Sequence, residues 1–183
     1  MKICVDQPIA ATPEEAQAAF LDPAFYENLG QLEGISAPEV RSLSVSEGRA
    51  RAVLGYRFSG QLNGVARSML DPAKLTWAQE TEVDLANRHT EVRMVPDNYA
   101  GLLSFSGWYE LRGTEDGQCC QHFEADLRVH VPLLGGLAEH AIAGSIRQNI
   151  ADTARLLERH IARSRHRRAS RAQPRQGRRD RTP

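Results

Sequence analysis

Six histidines, three cysteines and four tyrosines are the scarce side chains of this 183-residue chain able to ligate a metal, attack a carbonyl or hand over a proton. Their spacing decides which of these chemistries is open. His122 and His130 fall on the same face of one strand-like stretch but eight residues apart, about 26 Å at roughly 3.3 Å per residue, too far for one metal ion. His89 stands by itself on its stretch, and His140 and His160 are twenty positions apart in a helical one. These read as solvated surface histidines, and no metal centre and no cofactor are expected. Cys119 and Cys120 are adjacent, so on a strand they point to opposite faces and only one can enter a pocket. No histidine shares the inward parity to activate it, and a structural thiol is the expectation. No C-x-x-C pair exists, and three cysteines do not make a disulfide framework.

The tyrosines belong to a longer pattern that the strands must position. Between about Val40 and Val131 the hydrophobic period is two, broken by turn residues such as Ser46-Glu47-Gly48-Arg49, Ala86-Asn87, Pro96-Asp97-Asn98 and Gly113-Thr114-Glu115-Asp116-Gly117. Short links between successive strands predict an antiparallel meander. The stretch Ser59 to Pro72 has no clear period. The cleanest alternation runs from Cys119 to Val131, with Gln121, Phe123, Ala125, Leu127 and Val129 on one face and His122, Glu124, Asp126, Arg128 and His130 on the other.

Following the apolar parity of every strand gives an inward set. It includes Tyr56, Phe58, Trp77, Gln79, Thr81, Thr90, Met94, Phe105, Tyr109, Gln121 and Phe123, and it contains no Asp, Glu, His or Lys. General acid/base work needs a proton held near neutral pH, whereas tyrosine titrates near 10. Apolar walls with a few uncharged hydrogen-bonding groups instead suit a largely hydrophobic small molecule. The bland alternative is that these groups satisfy one another in a filled core. Trp77 is expected inside. Trp108, of opposite parity, is a candidate partner surface.

Helices flank the meander. Ile3, Val5, Gln7 and Ile9 alternate as a first strand, and Thr12-Pro13-Glu14-Glu15 then combines a threonine cap, proline at the first helical position and a glutamate three residues after the cap. Asp22-Pro23 restarts the signal ten residues later, which predicts two short consecutive helices. After Leu133-Leu134-Gly135-Gly136, the residues Ile142, Ile146, Ile150, Leu157 and Ile161 repeat at helical spacing, predicting a helix from Leu137 to Ala162 about 39 Å long at roughly 1.5 Å per residue. Ile146 and Ile150 join the candidate ligand-binding set. The fold class is α+β: a curved antiparallel sheet of about seven strands wrapped around a long C-terminal helix, with two short helices after the first strand.

The zero net charge hides an asymmetry. Residues 163–183 carry nine arginines against one acid, Asp180, a net +8 that leaves −8 for residues 1–162. With Ala169 and Ala172 as their sole aliphatic residues besides prolines, residues 163–183 are expected to be a disordered basic tail. Arg163 to Arg181 is the candidate contact for nucleic acid or an anionic membrane; a solubilising extension is the alternative. No apolar run approaches the roughly 20 residues that span a bilayer. An acid and a proline, Asp6 and Pro8, interrupt any signal-peptide core, so a cytoplasmic location is expected.

Thr12 to Tyr26, together with Val129-His130-Val131-Pro132-Leu133-Leu134-Gly135-Gly136 leading into the long helix, resembles the START-like superfamily, also called SRPBCC or Bet v 1-like helix-grip proteins. It looks like an uncharacterised bacterial branch of that group, which includes polyketide cyclase/dehydrase and lipid-transfer domains. The resemblance covers residues 1–162 and implies a helix-grip fold with an apolar cavity between sheet and terminal helix. It implies a binding or carrier domain for a lipid-like or polyketide-like molecule. It carries over no catalytic motif, because this scaffold hosts carriers, cyclases, hydrolases and regulators. Two alternatives stay open: a cyclase- or hydrolase-type enzyme in which Tyr56 or Tyr109 polarises a carbonyl, and an interaction module tethered by the basic tail. Oligomeric state is not legible.

Overall fold

The computed structural model describes residues 1–62, 64–131 and 135–172. In chain order these form β1 (Lys2–Ile9), α1 (Pro13–Phe20), α2 (Pro23–Tyr26), β2 (Glu39–Ser46), β3 (Arg49–Arg57), α3 (Gly64–Met69), β4 (Thr76–Asp84), β5 (His89–Pro96), β6 (Leu103–Gly113), β7 (Cys119–Val129) and α4 (Gly135–Ala172). The strands make one antiparallel sheet in the order β1-β7-β6-β5-β4-β3-β2, so the meander of the sequence is kept and the first strand pairs with the last. This is the helix-grip arrangement, with two short helices after β1 and a long helix at the end. Among the described residues no helix is long and apolar enough to cross a membrane.

Local chemistry fixes the elements. The Thr12 hydroxyl accepts from the Glu15 backbone N–H at 3.3 Å while the Glu15 carboxylate accepts from the Thr12 N–H at 3.1 Å, a complete capping box for α1. Asp22 caps α2 by accepting from the Ala24 N–H at 3.0 Å. At the β2–β3 hairpin Glu47 and Gly48 both have positive φ, 49° and 78°, as a two-residue turn of this hand requires. The Asp84 carboxylate accepts from the backbone of Ala86 and Asn87 and so organises the β4–β5 turn. Ser59 to Pro72, which shows no clear period in sequence, contains α3.

α4 runs past Ala162 to Ala172, which corrects the expected helix end and the reading of residues 163–172 as disordered. Arginine is a strong helix former, and cations at a helix C-terminus complement the macrodipole. Arg165 also has a partner: its guanidinium grips both carboxylate oxygens of Glu15 on α1, with Nε 2.7 Å from Oε1. Residues 173–183, the rest of the expected tail, and the Pro132-Leu133-Leu134 motif lie outside the described residues.

The core has two parts. One joins α1, α2 and the later half of α4 to the far end of the sheet through Ile9, Phe25, Leu54, Tyr56, Leu157 and Ile161. The other joins β1, β5, β6 and β7 to the earlier half of α4 through Ile3, Phe105, Phe123 and Leu127, with Ile142, Ile146 and Ile150 packed on it. Tyr109 touches both.

Candidate functional site

Strand register lays the inward residues out in rows. Tyr56 faces Trp77; Leu54, Gln79, Met94, Phe105 and Leu127 form the next row; Ala52, Thr81, Val92, Gly107 and Ala125 the next; then Ala50, Val83, Thr90, Tyr109 and Phe123. Gln121 lies beside Leu111 and Gln7 in the following row. Ten of the sequence-derived candidates therefore share one face of the sheet. Phe58 lies just beyond β3, bridged to Ile35. Ile146 and Ile150 approach the same face from α4.

Within this face the rings of Tyr56 and Trp77 stack, with centroids 5.7 Å apart and planes at 16°. Tyr109 packs against Phe20 of α1 at 5.7 Å and lies opposite Thr90 of β5. Thr90 and Gln121 are 2% and 6% exposed, whereas Gln79, Thr81 and Trp77 are half-buried. Burial pushes the hydroxyls of Tyr56 and Tyr109 above the usual tyrosine range, so both stay O–H donors at physiological pH. Burial pushes the Cys119 thiol up to about 11, which leaves it a poor nucleophile. Among the described residues the inward strand positions carry no Asp, Glu, His or Lys.

The covering of this face is uneven. α4 lies along β1 and β7, and α1 along β6 and β7. On the opposite edge the inward Val40 and Val45 of β2 are 39% and 58% exposed, and Leu43 between them is half-buried.

Two histidine sites escape sequence reasoning. His160 is no surface histidine: it is 7% exposed, rests edge-on against Phe25 with centroids 5.6 Å apart, and donates from Nε2 to Asp22 Oδ2 at 2.9 Å. Its polar neighbour lies 138 positions away, so nothing local announces the pair. On the outer face Trp108 sits between two imidazoles, His89 stacked at 5.4 Å and His122 tilted at 5.4 Å. Glu91 and Glu110 flank His89; Asp6 and Glu124 flank His122. Hydrogen bonds donated to these carboxylates, led by Glu91 for His89 and Asp6 for His122, hold both imidazoles above the ordinary histidine pKa. The β1–β7 register puts Cys4 opposite Glu124 and Asp6 opposite His122, and ligand atoms of Cys4, His122 and Glu124 come within 4.8 Å of one another. The members of this cluster come from the first and last strands, so nothing local announces it.

Residues 5–161 match the family described as Protein of unknown function (DUF2505). The chain belongs to that family. No curated protein matches it. Among solved structures it is similar to TTHA0849 from Thermus thermophilus, with 16% identity, a TM-score of 0.63, and 90% of this chain and 99% of that chain covered. It is also similar to the Zhui aromatase/cyclase from Streptomyces sp. R1128, with 14% identity, a TM-score of 0.62, and 89% and 94% covered. A norcoclaurine synthase point mutant from Thalictrum flavum, solved with a transition state analogue, shares 16% identity at a TM-score of 0.58, with 90% and 96% covered. These similarities establish the START-like, Bet v 1-like fold for this member of the family; at such identities they speak for fold alone.

Proposed function

We propose that this domain binds a hydrophobic small molecule, lipid-like or polyketide-like, on the inward face of its sheet beside α4. The observation that carries the reading is the partial exposure of the β2 and β4 positions of that face, on either side of the buried Ala52, Leu54 and Tyr56 of β3. There Val45, Leu43, Trp77, Gln79 and Thr81 keep access to space while α4 occupies the β1 and β7 side. Apolar walls with sparse uncharged donors and acceptors favour an apolar guest oriented by one or two hydrogen bonds. Gln79 and Thr81 serve as those handles, and Trp77 and Met94 as wall. Two of the similar structures, an aromatase/cyclase and a norcoclaurine synthase, are named for enzymes acting on organic small molecules, which supports a guest of that general kind. With tyrosines and a deactivated thiol as the titratable groups on the inward strand positions, the domain acts as a carrier or sensor of its guest.

The test is native mass spectrometry of the purified full chain after incubation with a panel of fatty acids, phospholipids and aromatic polyketides. One guest per chain, displaced by unlabelled competitor, is the expected result. An unliganded mass across the panel, together with no saturable uptake of a hydrophobic fluorophore, contradicts the reading.

A further inference from the structure

We propose that Cys4, His122 and Glu124 form a binding site for a borderline-soft divalent cation, Zn²⁺ above all, on the outer face of the sheet. The site is on the opposite side from the proposed guest, and neither reading depends on the other.

The donor set is a thiol, an imidazole and a carboxylate, which are the three side-chain ligand types zinc prefers. They come from adjacent paired strands: Cys4 is opposite Glu124, and His122 is two residues before Glu124 on the same face. Their ligand atoms lie within 4.8 Å of one another. His122 Nε2 is 3.3 Å from Glu124 Oε1, and two zinc bonds of roughly 2.0–2.1 Å at a tetrahedral angle separate their donors by about that distance.

The support around the imidazole points the same way. Asp6 Oδ1 lies 2.6 Å from His122 Nδ1 and accepts its proton, which leaves Nε2, 3.3 Å from Glu124 Oε1, as the nitrogen that ligates once it is deprotonated. A carboxylate behind a ligating histidine is the usual outer support of a zinc site. Trp108 packs against the ring at 5.4 Å and limits its rotation. Three protein ligands leave a fourth position, and a depression of about 400 Å³ lined by Cys4, Glu91, Trp108 and Glu124 opens beside them. Loading replaces the Cys4 thiol proton and the His122 Nε2 proton, both released to solvent, with metal–ligand bonds; no oxidation is involved.

The experiment is a Co²⁺ titration of tag-free, reduced full-length protein followed by absorption, with Zn²⁺ as competitor. The expected result is one Co²⁺ per chain with a thiolate-to-cobalt charge-transfer band, displaced by Zn²⁺. The band disappears in Cys4→Ser and persists in Cys120→Ser, and Glu124→Gln and His122→Gln weaken binding. Asp6→Asn, which leaves the three ligands in place, lowers affinity 10–100-fold. Far-UV circular dichroism matching that of the wild type shows that each variant is folded, and the exposed Cys4 gives a variant that does not disturb the core. Absence of the band in the wild type, its retention in Cys4→Ser, or an affinity unchanged by both His122→Gln and Glu124→Gln overturns the proposal.

Discussion

His160 near the end of the described chain donates to Asp22, 138 positions earlier, and Asp22 uses its other oxygen to cap α2. One carboxylate thus ties the long helix to the helix pair that closes the end of the grip. Asp22→Ala removes the cap, worth about 1 kcal/mol, and leaves a buried imidazole N–H without its acceptor, worth about 1–3 kcal/mol more. Denaturant unfolding is expected to show a loss of about 2–4 kcal/mol. A double-mutant cycle with His160→Ala is expected to give a coupling above about 0.5 kcal/mol, and strict additivity counts against the linkage.

The Arg165–Glu15 pair makes the acid limb of stability predictable. Hydrogen bonding from Arg165 first, then from the Thr12 backbone, holds the Glu15 carboxyl down at about 2. Because the folded value is depressed, the stabilisation is present above the ordinary glutamate value and is lost as pH falls from about 4.5 toward about 2. In Arg165→Ala the acid transition of the full chain is expected at higher pH. An unshifted transition means that the extended end of α4 does not bind α1.

His89 gives the opposite sign. Its folded pKa is raised, chiefly by the hydrogen bond to Glu91, so its contribution is complete below the ordinary histidine value and fades as pH rises through the raised one. Imidazole NMR resonances of His89 are expected to titrate with a midpoint above about 6.5, and Glu91→Gln to bring that midpoint down. A midpoint at or below that value in the wild type contradicts the geometry.

At Gly107 of β6 there is no room for a side chain against β7. A Cβ there lies 2.4 Å from the Glu124 carbonyl oxygen and 2.6 Å from the Ala125 Cβ, so backbone must move. Gly107→Ala is expected to cost about 1–3 kcal/mol, read as a fall in Tm against a Gly136→Ala control, where no atom stands in the way.

What the sequence makes legible is whatever local chemistry decides. Thr12, Pro13 and Glu15 announce α1 because a capping box is written in four residues, and the alternation from Cys119 places Gln121 and Phe123 inward because period two leaves no other choice. The same parity argument sets Tyr56, Trp77 and Gln79 on one face before the register is known. What stays hidden is pairing at a distance. Cys4 meets Glu124 through the union of first and last strands, and His160 meets Asp22 through the docking of α4, and neither is written in any window of the chain. The helix end is misread for a related reason: Arg165 looks solvated until Glu15 is placed beside it.

Trp77 and Trp108, the chain's two tryptophans, sit on opposite faces of the sheet, and this permits a direct measurement of where an apolar guest goes. Single-tryptophan variants Trp108→Phe and Trp77→Phe are titrated with a fatty acid brominated along its chain, which quenches indole emission on contact. The account predicts saturable quenching of Trp77 at one equivalent, with Trp108 unaffected. Quenching of both alike, or of neither, contradicts a guest held on the inward face.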